Sequence, residues 1–267
     1  MHPPEAPLAT ASAVRTNRGV WHVRGNWNAR EDRVPSAVWL GILWVGMIAG
    51  FGVDFSGFLK QMPPAPKVIW VHAFVFTMWM VLLTVQVLLV LRDHVAWHRK
   101  FGWFVASWAL LMAVLGPWAA LASQVVTLHT QYFDPAFLSV NLVDIGAFLP
   151  LLAWAIMLRK NPAAHRRMVI LATIALADPG FARFTEWLWP TEPHSVTPWF
   201  FYVFYGNVLL VALMAAWDWW RGRLMRSFVI GAAALLASEV VCSLLYFWGP
   251  WKSATTAFVE ACANFHI

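Results

Sequence analysis

Residues 68–91 read VIWVHAFVFTMWMVLLTVQVLLVL, 24 positions in which His72 is the one ionisable side chain. A helix of that length extends about 36 Å at 1.5 Å per residue, more than the roughly 30 Å of hydrocarbon in a bilayer. In that solvent every backbone N–H and C=O needs a partner, and a helix supplies them from within the segment. The stretch therefore reads as a transmembrane helix. Six more runs of the same kind surround it, at residues 36–53, 101–122, 135–158, 168–189, 198–217 and 227–248. The expected fold is an all-α polytopic membrane protein, a bundle of seven transmembrane helices built from hairpins. Asp178-Pro179-Gly180 interrupts the fifth span.

Composition agrees. The 267 residues are 60% hydrophobic and 12% charged, with 19 Trp. A soluble domain carries about twice that fraction of charge. The net charge of +6 needs no nucleic acid to explain it, because it is distributed as topology. Fifteen of the 19 Lys and Arg fall at alternate connections, among them Arg15, Arg18, Arg24, Arg30 and Arg33 before the first span. By the positive-inside rule this sets the N-terminus in the cytoplasm and the C-terminus outside, in a bacterial-type inner membrane. Residues 1–35 read as a basic, loosely ordered cytoplasmic tail without a signal-peptide core, with Trp21 and Trp27 resting on headgroups. Residues 36–248 form the transmembrane domain. Residues 249–267 read as an outer-face interfacial helix or tail, its Trp251, Phe258 and Phe265 on one face. Two cysteines, Cys242 and Cys262, are too few for a disulfide framework.

Two connections share a pattern, WHRKFGW at 97–103 and AHRRMVIL at 164–171. With RGRLMR at 221–226 they mark three hairpins that turn on cations, a weak internal repeat. Such clusters hold turns in the cytosol and bind anionic lipid headgroups, here through Arg99, Lys100, Arg166 and Arg167. The alternative, a metal or haem-edge site of His94, His98 and His165, would set a divalent ion among repelling cations.

The arrangement His72…Trp79…Gln86…His98-Arg-x-x-Gly102, then Asn161-Pro-x-x-His165-Arg-Arg-x-x-x-Leu-Ala-Thr and Asp178-Pro…Arg183, resembles an uncharacterised family of predicted bacterial multi-pass inner-membrane proteins. The resemblance covers roughly residues 68–185 and implies a multi-spanning fold without an assigned activity. The His-Arg-x-x-Gly turn is also similar to that of b561-type cytochromes, which implies paired histidines holding haem b within the bilayer. In this sequence His72 is the histidine that lies clearly within a span.

The sharper signal is buried charge. An ionisable side chain near the middle of a span costs about 2.5–3.5 kcal/mol on insertion scales, so such groups turn inward and find partners. Asp144, Asp178 and Glu239 lie in the fourth, fifth and seventh spans. Arg183 follows Asp178, and His72, Trp79 and Gln86 share a stripe of the second span. Together His72, Gln86, Asp144, Asp178, Arg183 and Glu239 outline a polar chamber open to the outer face. Each has a plainer reading. A lone carboxyl can be protonated and structural, Asp178 and Arg183 can form an ion pair that locks the break, and Gln86 and Asn207 can be interhelical hydrogen-bond glue. Trp187, Trp189, Trp199, Trp217, Trp219 and Trp220 read as interface belts.

Three functions fit. The first is a ligand- or cofactor-binding membrane protein, with His72 and His129 or His194 ligating a metal or haem b. The second is a proton- or cation-coupled transporter of a small solute, using the three acids. The third is a non-catalytic subunit or assembly partner of a membrane complex. No nucleotide loop, zincin helix or serine-nucleophile motif is present.

Overall fold

Six of the seven apolar runs become single helices and the fifth becomes two. The computed structural model describes residues 20–23 and 29–264, with side chains from residue 31 onward. The helices are α1 (Arg33–Lys60), α2 (Lys67–Leu91), α3 (Val95–Thr127), α4 (Leu138–Met157), α5 (Pro162–Ile174), α6 (Asp178–Leu188), α7 (Val196–Trp220), α8 (Arg226–Tyr246) and α9 (Gly249–Asn264). Among the described residues six helices are long and apolar enough to cross a membrane, and α5 with α6 forms a seventh candidate span bent by 46°. The chain is thus an all-α, multi-pass helical bundle. The helix ends alternate between a basic end, where α1, α3, α5 and α8 begin, and a far end.

The bend falls at residues 175–177, just ahead of the Asp-Pro-Gly stretch. α6 starts at Asp178 with Pro179 in its first turn, where a missing N–H breaks no helical bond. Asp178 is therefore a helix-opening residue rather than a mid-helix one.

α6 packs on α1 and α7, and α4 packs on α3, α5 and α8. The α1–α6 contact is backbone against backbone. A Cβ on Gly50 would overlap the Gly180 carbonyl, and one on Gly180 would come within 3.0 Å of the Met47 Cα. The Phe181 ring fills the space left by Gly46 of α1 and Gly206 of α7. Gly46 and Gly50 form a small-xxx-small motif, which lets helices approach closely where lipid provides no hydrophobic drive. Deeper in the bundle Trp79 meets Phe148 edge to face at 5.0 Å, and its Nε1 donates to Thr173 Oγ1 at 3.4 Å.

At the basic end the described residues ahead of α1 meet the bundle. β1 (Val20–Val23) pairs antiparallel with β2 (Arg223–Met225), and a 3-10 turn covers Ala29–Asp32. The electrostatic reason is that Glu31 and Asp32 meet arginines of the bundle. Arg15, Arg18, Arg24 and Trp27 lie outside the described residues, as do the side chains of Trp21 and Arg30.

At the far end α9 buries Thr255, Val259 and Cys262, spaced by four and three on one face. Trp251 Nε1 donates to the Ala136 carbonyl at 3.1 Å, while Phe258 points outward, 54% exposed. Phe265 lies outside the described residues. Cys242 and Cys262 are both free thiols.

Candidate functional site

The basic end holds a buried ionic knot. Arg167 of α5 donates from Nε to Asp218 Oδ2 at 2.6 Å and from Nη2 to Asp218 Oδ1 at 2.8 Å. Its Nη1 donates to Asp32 Oδ2 at 2.8 Å, and Arg223 Nη1 donates to Asp32 Oδ1 at 2.7 Å. Arg223 also pairs with Glu31. Arg167, Asp32, Asp218 and Arg223 are all buried. This corrects the expectation that Arg167 binds lipid headgroups, because its guanidinium is enclosed and engaged by two carboxylates. A cavity of about 20 Å³, enough for a water molecule, adjoins the knot between Ser36, Trp39, Arg166 and Trp217.

Asp32 lies ahead of the spans. Burial pushes its carboxyl upward, but the charge and hydrogen bond of Arg167, with Arg166 and Arg223, outweigh this and hold it below its ordinary value.

The two His-basic connections meet. His98 and His165 face each other edge to face, ring centroids 6.2 Å apart, and His165 Nδ1 lies 2.8 Å from the Ala155 carbonyl. Gln86 belongs to this end. With its amide turned to satisfy both neighbours, its nitrogen donates to the His98 carbonyl at 3.2 Å and its oxygen accepts from the Gly102 N–H at 3.2 Å. That corrects its place in a chamber with His72. Their separation of 14 positions spans about 21 Å of helix, most of the hydrocarbon thickness.

Asn161 caps α5 by accepting from the Ala164 N–H at 3.3 Å. Much of the recurring His-Arg pattern therefore serves as staples of the fold.

The three acids come together nearer the far end. Asp144 in α4, Asp178 at the start of α6 and Glu239 in α8 are 8%, 1% and 1% exposed. They lie within electrostatic reach of one another. Asn207 of α7 joins them, donating from Nδ2 to Glu239 Oε1 at 2.8 Å. Asp178 Oδ1, Glu239 Oε2 and Asn207 Oδ1 have no hydrogen-bond partner among the described residues. The site is enclosed rather than open: Val140, Trp199, Val203, Phe204 and Cys242 pack into an apolar plug on its far side. Trp199 is accordingly fully buried, not part of an interface belt, whereas Trp187, Trp189 and Trp220 are each more than 60% exposed.

The remaining candidates lie apart from this group. Arg183 Nε donates to Asp54 Oδ2 at 3.0 Å and its Nη1 donates to the Pro179 carbonyl at 2.9 Å, so its ion-pair partner is Asp54 of α1 and not Asp178. The His72 and Phe76 ring centroids lie 4.0 Å apart, and His72 Nδ1 is buried with no hydrogen-bond partner among the described residues. His129 and His194 are exposed in connections, whereas His72 lies within α2. Two-histidine ligation of haem b needs a second imidazole facing His72 inside the bundle, and these residues do not supply one. Among the described residues no three His, Cys, Asp or Glu side chains converge as a metal-ligand set.

Sequence reasoning missed the acids of the knot, although Asp218 stands between Trp217 and Trp219 at a helix end otherwise rich in cations. It also missed the Gly46-Met-Ile-Ala-Gly50 motif, legible as a small-residue spacing.

Fold and site together define a multi-pass α-helical membrane protein with an enclosed carboxyl cluster. No protein-family model, curated protein or solved structure matches the chain.

Proposed function

We propose that the chain is a proton-coupled membrane protein, a carrier of a small solute in which Asp144, Asp178 and Glu239 bind and release the coupling proton. The observation that supports this is that three buried carboxyl groups from three helices lie within electrostatic reach of one another beside a helix break, with oxygens of Asp178, Glu239 and Asn207 unpartnered among the described residues. Uncompensated charge at that depth is expensive, so carboxyls within electrostatic reach of one another there hold protons. Broken helices are tolerated inside a membrane where they border such sites, and carriers use them to bind ions near the midplane. The charge distribution supports an orientation with the basic end in the cytoplasm of a bacterial-type inner membrane, the far end and C-terminus outside. Arg99 and Lys100 are exposed there and suit anionic headgroups.

The test is infrared spectroscopy of the reconstituted protein. A protonated-carboxyl band that shifts in D₂O and disappears in the Asp144→Asn/Asp178→Asn/Glu239→Gln triple variant supports the reading. Proton uptake by dye-filled proteoliposomes should be lost in the same variant. A wild-type protein lacking the band would overturn it.

A further inference from the structure

A proton bound for the carboxyl cluster has to cross the packed shell around it. Towards the basic end that shell is apolar: Phe148, Leu151, Met168, Leu171, Phe228 and Leu235 are all buried there. Towards the far end the plug around Trp199 closes the cluster, but its edge along the seam between α4 and α8, where Cys242 sits, carries polar groups. Glu239, Cys242, Ser243 and Tyr246 recur at spacings of three and four, so one face of α8 carries a polar group at every turn. Cys242 Sγ, fully buried, lies 3.5 Å from Ser139 Oγ of α4 and within electrostatic reach of all three acids. One turn further, Tyr246 Oη is 2.8 Å from Asp134 Oδ2 and 3.1 Å from Glu192 Oε1.

This outer group is built rather than incidental. Trp199 Nε1 donates to the same Glu192 oxygen at 2.6 Å, and its ring stacks on Tyr246 with centroids 4.1 Å apart. One phenol carries one proton and faces two carboxylates, so it donates to one at a time. Burial and the nearby Glu192 charge push the Asp134 carboxyl above its ordinary value, while the Tyr246 hydrogen bond and Lys252 pull the other way. Asp134 is thus suited to accept a proton from the far side.

We propose that protons travel between the far face and the cluster along this seam, entering at Asp134, Tyr246 and Glu192 and passing Ser139 and Cys242 to reach Glu239. The proposal rests on the reading of the cluster as a proton site. A carboxylate at the mouth takes a proton from water, each hydroxyl or thiol releases one proton as it accepts another, and Glu239 ends protonated. Successive turns are about 5.4 Å apart, an interval that one water bridges.

The experiment follows deuterium exchange of the buried carboxyl band after mixing reconstituted protein with D₂O. Tyr246→Phe keeps the stacked ring and removes the hydroxyl, and Ser139→Ala/Cys242→Ala removes the middle pair. Each should slow exchange at least about tenfold while the band itself persists. Cys242→Ser keeps a hydrogen-bonding group and should exchange at close to the wild-type rate, as should Ser238→Ala, off the seam. Glu192→Gln tests the mouth by a second residue and should also slow exchange. Wild-type exchange rates in Tyr246→Phe and in the double variant, with the band intact, would overturn the route and leave the cluster reading standing. A wild-type protein without the band would remove both.

Discussion

Arg167 grips Asp218 with two nitrogens of one guanidinium, at 2.6 and 2.8 Å, inside the protein, and spends its third nitrogen on Asp32. One side chain thereby joins the entry of α1 to α5 and to the end of α7. Removing one member of a buried pair strands charge without solvent, at a cost of about 3–5 kcal/mol. Arg167→Ala should lower the unfolding temperature of the detergent-purified protein sharply. Arg167→Lys should fall between, since an ammonium cannot reproduce the two-pronged geometry. An unchanged midpoint in Arg167→Ala would refute the assignment.

The same knot sets an acid limit. Asp32 has a lower pKa folded than unfolded, so its contribution is complete above the unfolded value near 3.9 and is lost as pH falls through the folded one. Thermal stability should hold through neutrality and drop below about pH 4. In Asp32→Asn the protein should start less stable and that acid slope should be shallower. Parallel acid profiles for the two proteins would contradict this.

Gly50→Ala tests the α1–α6 contact. The new methyl group meets the Gly180 backbone, which no rotamer change relieves, and overpacking of this kind costs about 1–3 kcal/mol. Gly52→Ala, in the same helix with open space around it, should be neutral or slightly stabilising. A calorimetric comparison of the pair separates the contact from helix propensity.

Gln86→Leu should cost about 1 kcal/mol through its lost hydrogen bonds to the His98 carbonyl and Gly102 N–H. The effect should appear as faster amide exchange in residues 95–103, at the entry of α3. Exchange confined to wild-type rates there would place Gln86 elsewhere.

The spans were legible because hydropathy and helix length are local quantities, and residues 68–91 needed nothing beyond themselves. The acids were legible as residues that must find company. Their partners were less so. Arg167 sits in a basic cluster and reads as a surface residue, while Asp32 and Asp218 are 135 and 51 positions away. Arg183 stood near Asp178 in sequence but pairs across 129 residues with Asp54. Gln86 shared a seven-residue stripe with His72, and a stripe gives the face of a helix without its depth. The plug around Trp199 was hidden for another reason, since a tryptophan near a span end reads as a headgroup anchor whether it points outward or inward.

The 46° bend between α5 and α6 has a mechanical corollary. Asp178 opens the segment that Gly50 clamps to α1, whereas Glu239 and Asp144 ride on α8 and α4. The acid oxygens are thus mounted on separate bodies, with Asp178 at the pivot. Any tilt of the α1–α6 arm would alter their spacing, and any change in what the oxygens hold would push back on the arm with equal free energy.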